Sequence, residues 1–135
     1  MSNLRRKSDF NISAAEILLE KTLYVSSVHC SYYSCFQLLK YTIKAFYGID
    51  YEDQAVEISR TKQNTHQYVI SFIDSQLGRF VSICERREFI RKVKDLKQFR
   101  IEADYEDVEV SMDKGQKALQ IAQEIRSYII KNFNL

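Results

Sequence analysis

The chain has 135 residues with 45% apolar and 28% charged side chains, the size and balance of one globular domain with enough oil for a core. A net charge of +2 is too small to argue for nucleic acid by itself, and no apolar run approaches the length of a membrane span. With no Pro and only three Gly, the composition argues against an all-β fold dense in tight turns and for long helices with few interruptions. The first residues, MSNLRRKSDFN, have no apolar core of a secretion signal, so residues 1–11 read as a flexible tail of a cytoplasmic protein. Cys30, Cys35 and Cys84, odd in number and flanked by apolar residues, read as reduced, buried thiols.

The first helix is expected at about 13–23. Ser13 and Glu16 match a capping box, and Ile12 and Ile17 match a hydrophobic staple. A break near Tyr24–Ser27 separates it from a second helix at about 26–47, which Gly48 stops. On that helix Ser27, Ser31 and Ser34 share one face, a seam on which a neighbouring helix can approach closely, flanked by Tyr32, Tyr33 and Phe36. Residues 48–62 read as a polar connection. A third helix spans Asn64 to Leu77, with Tyr68, Val69, Phe72, Ile73 and Leu77 at helical spacing, and Gly78 ends it. A fourth covers roughly 83–104. A fifth runs from the N-cap Ser111 to about Lys131, with Ala118, Ala122, Ile125 and Ile129 as its apolar stripe. The expectation is an all-α antiparallel bundle of four to five helices in one domain.

The fourth helix carries the most chemical information. Phe89, Val93, Leu96 and Ala103 fall on one face, and Arg100, about three turns after Phe89, points into the same apolar stripe. A charge there is costly unless it is paired. Asp104, four residues on, is within reach of its guanidinium. Arg100 is therefore either a buried, paired structural residue or an arginine presented to an anion, for which its planar fork is suited. The cations Arg86, Arg87, Arg91, Lys92 and Lys94 lie off the stripe and read as a solvated face, and the acidic run Glu102–Asp113 as a solvated helix end. His29 reads as a core or hydrogen-bonded histidine and His66 as an exposed one. Neither has cysteine or histidine neighbours at metal-ligand spacing. The glycines make no phosphate loop and no serine sits in a nucleophile elbow, so no metal or cofactor is expected.

Three segments together resemble the HEPN family (higher eukaryotes and prokaryotes nucleotide-binding). Ser31-Tyr32-Tyr33-Ser34-Cys35-Phe36 is similar to its small-Tyr-Tyr-x-x-Phe signature. Thr65-His66-Gln67-Tyr68-Val69-Ile70-Ser71-Phe72 resembles the opening of a helix in one branch, and Arg100-Ile101-Glu102-Ala103-Asp104-Tyr105 looks like the Arg-x-x-Ala-Asp-Tyr signature of that branch. The resemblance implies a HEPN-like helical bundle and a homodimer with the arginine motif at the subunit interface. It also implies the company the family keeps: RNA or nucleotide ligands, and pairing with a small nucleotidyltransferase in toxin–antitoxin systems. Many members are metal-independent ribonucleases in which Arg binds the scissile phosphate and a His four to six residues later moves the proton. Here the window after Arg100 holds no histidine. The arginine role carries over to Arg100 and the histidine role to nothing. Tyr105 or His66 would have to serve in proton transfer. The reading is thus a non-catalytic interaction and nucleotide- or RNA-binding module, with Arg100, Asp104, Tyr105, Tyr32 and Tyr33 as its binding or interface residues. A ribonuclease toxin with a degenerate motif and a purely structural bundle dimer are the alternatives.

Overall fold

A computed structural model describes residues 2–135. The described residues form six α-helices and no strand: α1 (Asn3–Glu20), α2 (Tyr24–Tyr47), α3 (Tyr51–Thr61), α4 (Thr65–Leu77), α5 (Ile83–Tyr105) and α6 (Met112–Phe133). The all-helical architecture agrees with the sequence, but the count exceeds the expected four to five. The additional element is α3, which occupies the segment read as a polar connection. Asp50 caps it by accepting from the backbone N–H of Asp53, and Glu52 and Asp53 stand in its first turn, where the helix dipole favours acids.

α1 also starts earlier than expected. Its N-cap is Ser2, whose hydroxyl accepts from the Leu4 N–H, and residues 3–11, read as a tail, are helical. Tertiary contacts explain this. The Ser8 hydroxyl donates to the Ser34 carbonyl at 2.5 Å, and the buried Arg126 of α6 donates to Ser8 Oγ and, at 2.6 Å, to Asp9. Ser13 is therefore mid-helix and caps nothing. The break falls at Lys21–Leu23, with Thr22 in the left-handed region (φ 62°).

α2 is the hub, packed against α1, α4, α5 and α6. Its serine face meets α1 as the spacing predicts. Ser27, Ser31 and Ser34 are all buried, and the Ser27 hydroxyl donates to the Ala15 carbonyl at 2.7 Å. The opposite side of α2 contributes Val28, Tyr32, Cys35, Leu39 and Ile43 to a continuous core. There it meets Val69, Ile73 and Leu77 of α4, Phe89, Val93 and Leu96 of α5, and the predicted α6 stripe, Ala118, Ala122, Ile125 and Ile129. Gly48 ends α2 in the left-handed conformation (φ 70°), as expected of a C-cap glycine. At Gly115, a Cβ would stand 3.0 Å from the Leu19 side chain and 3.3 Å from the Tyr24 ring, so α6 passes close to the α1–α2 turn there. Of the cysteines only Cys35 is buried. Cys30 is half-buried and Cys84 is exposed, which corrects the expectation of three buried thiols.

Candidate anion site around Arg100

α5 begins with a full capping box. The Ser82 hydroxyl accepts from the Glu85 N–H, and the Glu85 carboxylate accepts from the Ser82 N–H. From that start the helical period sets Phe89, Val93 and Leu96 into the core and brings Arg100 in behind them. Arg100 is 6% exposed, as its register predicts. Its surroundings differ from those expected. No carboxylate lies within 4.0 Å of the guanidinium among the described residues, so the Arg100–Asp104 pair does not form. The guanidinium is instead enclosed by aromatic rings, its central carbon 5.0 Å from the Tyr32 ring, 5.8 Å from Tyr33 and 5.5 Å from Tyr105. Nη1 donates to the Tyr105 hydroxyl over a long 3.4 Å, and Nε is buried without a partner. Nη2 makes no hydrogen bond among the described residues and, unlike Nε, is not sealed from solvent.

Asp104 is drawn away by another helix. Its carboxylate is 2.8 Å from Nδ1 of His29 on α2, with the two side chains 17% and 48% exposed. The His29 ring rests against Tyr33 at 4.7 Å. His29 is thus hydrogen-bonded, as one of its expected roles required, but on the surface. The opposing charge that α5 could have supplied to Arg100 is committed to α2.

His66 stands in the first turn of α4, behind the N-cap Asn64. It is half-buried where exposure was expected, and its Nδ1 is 2.6 Å from the Tyr32 hydroxyl. Its ring stacks on Phe36 at 4.2 Å and meets Tyr33 edge-on at 5.9 Å. Burial, reinforced by the nearby charges of Arg100, Lys97 and Lys40, lowers its pKa to about 4, so the imidazole is neutral near pH 7. Burial likewise pushes the Tyr32 phenol well above the usual tyrosine range, outweighing the opposite pull of Arg100.

The structure therefore brings together five sequence-predicted residues, Arg100, Tyr32, Tyr33, Tyr105 and His66, and keeps Asp104 apart on His29. What sequence reasoning missed is the His29–Asp104 pair and the docking of His66 on Tyr32. The first had no local signal, since His29 and Asp104 lie 75 residues apart on different helices. The second had none beyond the family resemblance, since His66 and Tyr32 are 34 residues apart. A separate groove of about 760 Å³ runs between α5 and α6 over Phe89, Ile125 and Tyr128, and shares no lining residue with the Arg100 cluster.

Chemically, the cluster is a set of donors. A buried cation without a counter-ion is costly, because ring faces repay only part of its lost hydration. An anion reaching Nη2 would supply the missing charge. A family model described as HEPN domain matches residues 1–133. No curated protein and no solved structure matches the chain.

Proposed function

The chain belongs to the HEPN domain family, and from that premise we propose that it is a non-catalytic nucleotide- or RNA-binding module whose phosphate-binding group is Arg100. The observation that carries this reading is the guanidinium itself, buried among Tyr32, Tyr33 and Tyr105 with no carboxylate partner among the described residues. Arginine is the side chain whose fork matches phosphate oxygens, and its unpaired state leaves it free to bind them. The Tyr105 ring, 73% exposed beside it, offers a face on which a base can stack. Within the same reading, the chain works as a single cytoplasmic domain. It forms a homodimer at the face carrying Arg100, Tyr105 and the exposed Val108, and partners a small nucleotidyltransferase. The motif from Arg100 to Tyr105 is that of a branch lacking the catalytic histidine.

Fluorescence anisotropy with a labelled single-stranded RNA and with ATP tests the reading. Wild-type protein is expected to bind one or both, more weakly as salt rises, and Arg100→Met to lose that binding while remaining folded. Equal binding by the variant sinks the proposal.

A second reading, a metal-independent ribonuclease, gains support from His66, which shares the rings of Tyr32 and Tyr33 with Arg100. RNA cut in the presence of a chelator, with cutting abolished by Arg100→Met and by His66→Asn, would favour it. RNA left intact removes it.

A further inference from the structure

His66 lies outside the arginine motif, on a different helix, yet its placement is closely controlled. Its Nδ1 is held at 2.6 Å by the Tyr32 hydroxyl, and its plane is fixed by the Phe36 ring, 4.2 Å away and 20° from parallel. The same two tyrosines that flank Arg100 flank His66, at 5.6 Å for Tyr32 and 5.9 Å for Tyr33. Its Nε2 makes no hydrogen bond among the described residues and is not sealed from solvent. The charged groups acting on it from the packed elements are Arg100 and Lys97 of α5 and Lys40 of α2, all cations.

We propose that His66 is a second phosphate-binding residue of the Arg100 site, locked by Tyr32 in the tautomer that offers Nε2–H as a hydrogen-bond donor. Tyr32 is then a positioning residue, acting through His66. This rests on the reading of Arg100 as a phosphate-binding group.

Tyr32 is 2% exposed and its hydroxyl has no partner but His66 among the described residues, so its O–H is satisfied only by donating to Nδ1, which accepts. A neutral imidazole carries one ring proton, which must then sit on Nε2. Burial, reinforced by the charges of Arg100, Lys97 and Lys40, keeps the ring from taking a second. What remains open to a ligand is therefore a pair of donors, Nη2 of Arg100 and Nε2–H of His66, in the positive field of Lys97 and Lys40. The carboxylate that could have joined them, Asp104, is held by His29. Such a set fits the oxygens of a phosphate, whether a diester in RNA or the terminal group of a nucleotide. The same arrangement makes His66 a poor general base, because its exposed nitrogen already bears a proton and its basic one is occupied.

The test combines ring nitrogen NMR with binding. Long-range ¹H–¹⁵N correlations of the wild-type protein are expected to show His66 as the Nε2–H tautomer between about pH 5.5 and 8. Adding the single-stranded RNA, or ATP in a parallel titration, is expected to move its Nε2 resonance, and whichever does so identifies the source of the phosphate. His66→Phe is expected to weaken binding by about tenfold, the scale of one hydrogen bond to a charged group. His66→Asn is expected to restore most of it, since its amide can accept from Tyr32 and donate outward. Tyr32→Phe should mix the two tautomers and weaken binding less than His66→Phe.

An Nδ1–H tautomer, an Nε2 resonance that no ligand moves, or His66→Phe binding like wild type while Arg100→Met does not, overturns the role of His66 and leaves that of Arg100 standing. Undiminished binding by Arg100→Met overturns both. If His66→Phe fails to fold, the tautomer and the ligand-induced shift, both read on the wild-type protein, decide alone.

Discussion

Replacing Arg100 by methionine should abolish ligand binding without costing stability, and that pairing of outcomes separates a site from a structural strut. Methionine keeps an unbranched apolar stem of similar reach and removes the charge. In the native protein Arg100 is 6% exposed and its guanidinium faces no carboxylate among the described residues. The lost hydration of such an ion costs on the order of several kcal/mol. Against this stand three ring contacts at 5.0, 5.5 and 5.8 Å, each contributing roughly 0.5–1 kcal/mol and up to about 2 when fully desolvated. The one hydrogen bond, to Tyr105, is 3.4 Å long and adds little. These terms nearly cancel. Methionine escapes the desolvation cost and recovers part of the ring contacts through its sulfur, at about 0.3–1.5 kcal/mol each. The expected change is between about zero and 2 kcal/mol of stabilisation, or up to several degrees in Tm for a domain of this size. Urea denaturation at pH 7.5 checks it, with the midpoint holding or rising at unchanged slope. A loss of about 3 kcal/mol or more would refute the reasoning, because breaking a satisfied buried ion pair costs that much.

Asp104→Asn is expected to cost at most about 1 kcal/mol, as its partner His29 is half-exposed, and to leave ligand binding intact; a penalty of about 3 kcal/mol would make Asp104 a partner of Arg100 after all. Deleting residues 2–11 removes Ser8 and Asp9 from the buried Arg126 and should lower stability by roughly 3–5 kcal/mol in thermal denaturation followed by circular dichroism, where loss of a mere tail would be silent. Burial and the nearby cations lower the pKa of His66 to about 4 in the folded protein from the usual 6.5 of a free imidazole. Stability from keeping it neutral is therefore fully present above about pH 6.5 and is lost as pH falls from there towards 4, by about 1–2 kcal/mol once solvent screening of a half-open ring is allowed for. His66→Asn should flatten that part of the pH profile, and an unchanged profile would show the ring to be unperturbed. In thiol titration Cys84, exposed, should react at once, and Cys35, fully buried with its pKa pushed up to about 12, only on unfolding. Cys84→Ser should abolish the fast phase.

What was legible in the sequence was register, and what was not was partnership. The 3.6-residue period alone sends Phe89, Val93, Leu96 and Arg100 inward, and Gly48 announces the end of α2. α3 escaped because its signature is a cap and a dipole, Asp50 with Glu52 and Asp53, around a helix that buries only Gln54. The start of α1 escaped because Arg5-Arg6-Lys7 resembles a tail, and the helix is held by Arg126, more than a hundred residues away. Asp104 marks where local spacing runs out. Spacing placed it within reach of Arg100, but a side chain near a helix end has two candidates, and His29 on α2 is the one it meets. No rule of local spacing could have foreseen that, because the absence of a counter-ion is a property of every neighbour at once.

The same point explains why the short motifs mattered more than their length suggests. Tyr32 and Tyr33 come from the middle of α2, Arg100 and Tyr105 from the last turns of α5, and His66 from the start of α4. Separated in sequence, they close on a single guanidinium and a single imidazole. An arginine enclosed only by rings is expensive for a fold to keep, and a fold that needed only packing could have placed methionine there. The arrangement is economical only if something negative arrives.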